Sequence, residues 1–191
     1  FTEGDNTLYV SSVSLSGPNG DYFYGTIDLE NPSAGIVNKY QGGSEITTAI
    51  AAKDGELYYY DFDAEAIRKV NLTSGEQEPE TLIENLNTVW DLVFDGDMLY
   101  MTISENNLIF AARADMSNEN PEIELISEGH PSFDAIDIEG NTLYISTFFG
   151  GLATIDLSDN SYPLTITDDY FSDDFLVAIS IKVADGYVYY T

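Results

Sequence analysis

The sequence predicts an all-β protein assembled from one repeated antiparallel unit. Three recurring features carry that prediction. The dipeptide Leu-Tyr occurs at Leu8-Tyr9, Leu57-Tyr58, Leu99-Tyr100 and Leu143-Tyr144, with Val188-Tyr189 as a conservative fifth copy. The tyrosines are 49, 42, 44 and 45 residues apart. An acid-glycine pair precedes each copy, and an alternating strand followed by a proline comes after the first four.

The acid-glycine pairs are Glu3-Gly4, Asp54-Gly55, Asp95-Gly96, Glu139-Gly140 and Asp185-Gly186. Each lies between apolar segments and predicts a tight hairpin, because glycine supplies the positive φ such turns need. The Leu-Tyr segment is then the returning strand. The next element reads Ile27-Asp28-Leu29-Glu30, Val70-Asn71-Leu72-Thr73, Ala114-Asp115-Met116-Ser117 and Ile155-Asp156-Leu157-Ser158. Its period of two predicts a half-buried strand. Four of the six prolines follow, at Pro32, Pro79, Pro121 and Pro163. Proline cannot donate to a central ladder, so it marks a turn before an edge strand. Those edge strands are expected around Ile36-Val37, Leu82-Ile83, Leu125-Ile126 and Leu164 to Ile166. A helical reading fails almost everywhere. Its best stretch, Asp63 to Val70, is short and sits where the other copies have a strand.

Four antiparallel strands every ~40–50 residues describe a β-propeller blade. The units run approximately 1–42, 43–86, 87–129 and 130–172, with a partial unit at 173–191. That is about four and a half blades in a single domain. The first unit keeps only Phe1-Thr2 of an innermost strand, and the last stops within a Leu-Tyr strand. The chain also opens at Phe1 rather than Met. These features lead us to expect a processed product or part of a longer chain.

At this point the repeats resemble the NHL, YWTD and gluconolactonase-like propellers. "LYYYDFDAEAIRKVNLTSGE" is similar to a YWTD repeat, with Tyr58 to Asp61 in place of the signature tetrapeptide. Ile67, Arg68 and Leu72 match the strand that follows it. "FDAIDIEGNTLYIST" resembles the opening strands of an NHL-type blade. The resemblance implies six blades, or about 270 residues at this period. It also implies a possible hydrolase reading, since gluconolactonase-like proteins hold a divalent cation at the channel. Asp91, Asp134 and Asp137 are the counterparts available here. Function does not follow from the fold, because propellers host unrelated activities.

Composition limits the partners. Acids number 34 against 6 Lys plus Arg, for a formal charge of -28. Nucleic acid and anionic membrane surfaces would be repelled. Hydrophobic residues make up 43% of the chain, enough for a core. No apolar run reaches the ~20 residues of a membrane span. Such acidity suits salty or calcium-containing surroundings, where cations screen self-repulsion. An extracellular, cell-surface or periplasmic location in a bacterium is the expectation. With no cysteine and a single histidine, disulfides, thiolate metal sites and two-histidine metal sites are excluded within this chain.

Chain direction places the loops entering the innermost strands on one face with the loops after the Leu-Tyr strands. The long stretch Ser11 to Asp21 and the acids Asp61, Asp63, Glu65 and Glu105 belong there. Binding candidates on that face are Trp90, Asp91, His130, Phe133, Asp134, Phe148, Phe149, Tyr170 and Phe171. Acids beside aromatic faces suit sugars or cationic groups. Asp168, Asp169, Asp173 and Asp174 form an acidic stretch that could supply oxygen ligands to Ca²⁺. It lacks the spacing of an EF-hand loop. Tyr58 is expected in the core between blades, with either Tyr59 or Tyr60 partly exposed. Leu57, Leu99, Leu143 and Val188 should be buried at equivalent positions.

With no catalytic constellation in the sequence, the expected function is a non-enzymatic binding or scaffold propeller. It would present its acidic-aromatic face to a protein or carbohydrate ligand. The alternatives are the metal-dependent hydrolase above and a structural subunit of a larger surface assembly.

Overall fold

The computed structural model describes residues 7–14, 21–41, 49–72, 78–147, 151–167 and 180–190. These form two compact units, Phe1–Leu86 and Asn87–Thr191. Neither contains an α-helix among the described residues, so none is long and apolar enough to cross a membrane.

The first unit holds two sheets. Strands β1 (Thr7–Ser14), β2 (Asp21–Asp28) and β3 (Val37–Gln41) form one, and a 3-10 turn at Pro32–Ala34 leads into β3. Strands β4 (Ile50–Lys53), β5 (Glu56–Asp61), β6 (Ala66–Val70) and β7 (Glu80–Ile83) form the other, in that order. The stretch read as a loop from Ser11 is therefore strand as far as Ser14, where it pairs with β2.

The second unit repeats the plan. Strands β8 (Val89–Asp95), β9 (Met98–Glu105), β10 (Leu108–Asp115) and β11 (Glu124–Leu125) make one sheet. Strands β12 (Phe133–Glu139), β13 (Thr142–Thr147), β14 (Leu152–Asp156) and β15 (Leu164–Thr167) make the next. A hairpin of β16 (Ile181–Ala184) and β17 (Tyr187–Tyr190) completes the described residues. Every ladder is antiparallel.

The repeated dipeptides acquire distinct roles. Asp54 and Gly55 both take positive φ, 52° and 79°, as do Asp185 and Gly186, at 54° and 74°. Two left-handed residues define the type I′ turn that matches strand twist. In the two intervening sheets the acid, Asp95 or Glu139, is the last strand residue instead. There Gly96 or Gly140 is the first loop residue and supplies the left-handed conformation. One sequence signal thus serves two turn registers.

The aspartates of the alternating element are turn formers. Asp28 Oδ1 accepts the Glu30 amide at 2.8 Å. Asp115 Oδ1 accepts the Ser117 amide at 3.0 Å and its hydroxyl at 2.6 Å. Asp156 Oδ1 does the same for Ser158, at 2.9 and 2.6 Å. Asx turns of this kind stop the third strand and redirect the chain toward the proline. Part of the strong acidity is therefore structural.

Leu57, Leu99 and Leu143 are fully buried, as their common position requires. Val188 is only half-buried, because no described strand pairs with the outer edge of β17. Tyr58, Tyr59 and Tyr60 are all buried, which corrects the expectation that one of the last two would be exposed. The physical reason is that both faces of β5 are covered. Tyr59 packs on Tyr24 of the neighbouring sheet, with ring centroids 4.6 Å apart. On the other face Tyr60 meets the edge of Phe62, and its hydroxyl donates to the Leu86 carbonyl at 3.2 Å. In the second unit one core cluster joins Tyr100, Ala111 and Ile126 to Phe133, Leu143, Ile145 and Ile155. It is the seam between two successive sheets.

Candidate functional site

In the second unit, the first strand of each four-stranded sheet begins with a β-bulge. On β8, Val89 pairs with Ile103 and Asp91 with Thr102, so Trp90 is the extra residue. On β12, Phe133 pairs with Thr147 and Ile136 with Ile145, which puts the excess at Asp134-Ala135. A bulge re-aims side chains and interrupts pairing, and bulges are over-represented beside functional sites.

The bulge leaves the Trp90 indole 41% exposed, yet it is not loose. Its Nε1 donates to Ser104 Oγ at 2.8 Å. A large aromatic face is thus held at the surface in a set orientation. The second bulge is tied from the preceding sheet, because Thr102 Oγ1 donates to the Asp134 carbonyl at 2.7 Å. The adjacent Ala135 amide donates to Ser146 Oγ at 3.1 Å.

Asp91 links the two bulges. Its Oδ2 accepts the Ile136 amide at 2.9 Å and its Oδ1 accepts the Leu92 amide at 2.9 Å. Burial raises its pKa, the two amides pull it down, and the Asp134 and Asp137 carboxylates push it up. The result lies at about 7, against an ordinary 3.8. Burial also raises the pKa of Asp134. Both shifts follow from the difficulty of keeping a charge where water is scarce.

Asp137 is committed elsewhere. Its Oδ1 meets Lys182 Nζ at 2.8 Å and its Oδ2 accepts the Val183 amide at 2.5 Å. Two residues further along β12, both Glu139 oxygens accept the Gly186 amide at 3.1 Å. Asp91, Asp137 and Glu139 therefore act as clamps from one sheet to the next. Among the described residues no group of three or more His, Asp or Glu side chains is placed to hold a metal.

The remaining candidates divide clearly. Phe133 is 1% exposed and belongs to the core seam rather than to a ligand face. His130 stacks on it at 4.9 Å, exchanges backbone hydrogen bonds with Ile109, and accepts the Ser132 amide on Nδ1 at 3.3 Å. His130 thus extends the edge of β10 through its bridge to Ile109. Asp61 is buried under its own loop, where it accepts the Asp63 and Ala64 amides and pairs with Arg68 at 2.7 Å. Phe148, Phe149, Asp168, Asp169, Tyr170, Phe171, Asp173 and Asp174 lie outside the described residues.

The structure thus brings the Asp91 and Asp134 carboxylates within electrostatic reach of each other, with Trp90 as the bulge residue next to Asp91 in the chain. Sequence reasoning missed their supports, Thr102, Ser104 and Ser146. A signal was present in Tyr100-Met101-Thr102 and Tyr144-Ile145-Ser146, where a hydroxyl follows each tyrosine by two.

No protein-family model and no curated protein matches the sequence. Solved structures do match. A chain from the crystal structure of a nidogen/laminin complex superposes with a TM-score of 0.66 at 14% identity. The match covers 98% of this chain and 68% of that one. The computationally designed Ika8 protein matches with a TM-score of 0.51 at 10% identity, over 93% of this chain and 66% of the other. The fold is β-propeller-like. At such identities the likeness shows fold alone.

Proposed function

We infer that this chain is a non-enzymatic binding module, in which the bulged ends of β8 and β12 meet a cationic group of a partner protein. The observation that carries this reading is Trp90, exposed but tethered by Ser104. Asp134 stands at the equivalent bulge of the next sheet. An exposed indole face attracts a guanidinium or ammonium group through the ring quadrupole, and carboxylates at the two bulges would add charge attraction. The nidogen/laminin structure is a protein complex, which makes a protein partner the natural first choice. We read the sheets as YWTD- or NHL-like blades of a six-bladed ring, on the 44-to-45-residue spacing of the later tyrosines. The charge of -28 supports an exported, cell-surface setting with ample cations.

Trp90 is the sole tryptophan, so its fluorescence reports this site alone. Titration with an arginine-rich peptide should shift or quench that emission, and Asp134→Asn should weaken the response several-fold. Neutral oligosaccharides in the same assay test the carbohydrate alternative. Emission unmoved by either class of ligand would remove the proposal.

A further inference from the structure

Arg113 on β10 braces one end of a groove in the second unit through Glu124 and Tyr162. Its guanidinium reaches Glu124 Oε2 at 2.7 Å through both Nε and Nη2. Its Cζ also lies 5.0 Å from the centroid of the Tyr162 ring. Glu124 opens β11, and Tyr162 stands just before β15. One cation therefore ties together the outer strands of two successive sheets. Between them lies a cavity of about 770 Å³, lined by Leu125, Ile126, Glu128, Tyr162, Leu164 and Ile166 among others. Leu125 and Ile166 are 43% and 38% exposed, although both are large and apolar. Tyr162 holds a φ of 46°. A bulky side chain adopts that conformation only where its surroundings demand it.

Three features define the occupant. First, among the described residues β15 is outermost in its sheet and β11 is only two residues long, so backbone pairing capacity is left over there. Second, Glu128 is the one charged residue among the described residues lining the groove. Arg113 is already engaged by Glu124 and Tyr162, so the local field is negative. Third, a second copy of this chain would bring another 28 negative charges. Self-association is opposed, and a basic partner is favoured.

We propose that this groove takes an extended segment of a partner protein in which apolar and basic residues alternate. The apolar side chains cover Leu125 and Ile166. The basic ones face Glu128 and the acidic surface beyond. The segment adds to the edge of β15, in the manner of strand addition to an exposed sheet edge.

The test uses the full chain and a blocked nine-residue peptide of alternating Val and Lys, with binding read by calorimetry. The reference is a Gly-Lys peptide of the same charge. The Val-Lys peptide should bind at least tenfold more tightly. Leu125→Asp and Ile166→Asp should each weaken it tenfold or more, even though both add attraction for lysine. Val37→Asp adds the same charge at an exposed site of the first unit and should leave affinity unchanged. Ile166→Asp keeps the test decisive if Leu125→Asp does not fold. Equal affinity for the Gly-Lys peptide, or indifference to both groove substitutions, would overturn the proposal. So would a dimer in sedimentation that Leu125→Asp disperses, since the occupant would then be a second copy. Trp90 takes no part in this readout, so the result is independent of the site at the bulges.

Discussion

The carboxylate of Asp91 accepts the backbone amide of Ile136 at 2.9 Å, joining the first strands of two four-stranded sheets across 45 residues of sequence. The bond sits where burial and two further carboxylates work against ionisation. The same residue therefore holds the sheets together and carries a charge that the fold disfavours.

A pH dependence follows. The Asp91 pKa is raised in the folded state to about 7 from an ordinary 3.8. Its contribution to stability is full below about pH 4 and is lost as pH rises through about 7. Asp91→Asn keeps a carbonyl acceptor for Ile136 and cannot ionise. Melting temperatures of the two proteins should diverge in favour of the Asn variant between about pH 4 and 7 and keep a constant gap above that. Parallel profiles would show that Asp91 stays charged throughout.

The register of the repeat predicts a large effect at two leucines. Leu99 and Leu143 are each 0% exposed at equivalent positions on β9 and β13. Replacing either with Ala should cost about 2–5 kcal/mol, measured by denaturant unfolding. A loss under ~0.5 kcal/mol at both would mean the register is wrong.

Gly129 should tolerate no side chain. An added Cβ would stand 2.6 Å from Phe110 Cζ and 2.9 Å from Leu108 Cβ. The Leu108 contact lies close to the main chain, so it cannot swing away as a flexible tip would. Gly129→Ala is expected to destabilise by roughly 1–3 kcal/mol, the usual range for overpacking. An unchanged melting temperature would place this segment farther from β10.

Ionic strength should stabilise the protein. At ~0.15 M salt the reach of surface charges falls to ~8 Å, which relieves repulsion among the acids. Melting temperature should rise from low to moderate NaCl. If Asp168, Asp169, Asp173 and Asp174 bind calcium as proposed, millimolar Ca²⁺ at fixed ionic strength should raise it further. An equal response to MgCl₂ would reduce that effect to screening.

The four-strand unit was legible in the sequence because its determinants are local. Hairpin glycines, strand alternation and the proline before each edge strand act within a few residues. The core leucines were legible for the same reason, since period two assigns a face. Local rules stop at the boundary between sheets. They put Trp90 and Asp134 at the start of their strands but did not reveal the bulges there. They marked Phe133 as a ligand contact, although the neighbouring sheet buries it. They expected one tyrosine of Tyr59 and Tyr60 to meet solvent, although Tyr24 covers one face of β5 and Phe62 the other. The clamps formed by Asp91, Asp137 and Glu139 span 45 to 47 residues. Nothing within a few residues of them selects those partners. Strand identity was thus settled by local chemistry in the sequence, while the fate of each acid and aromatic was settled by which sheet packed beside it.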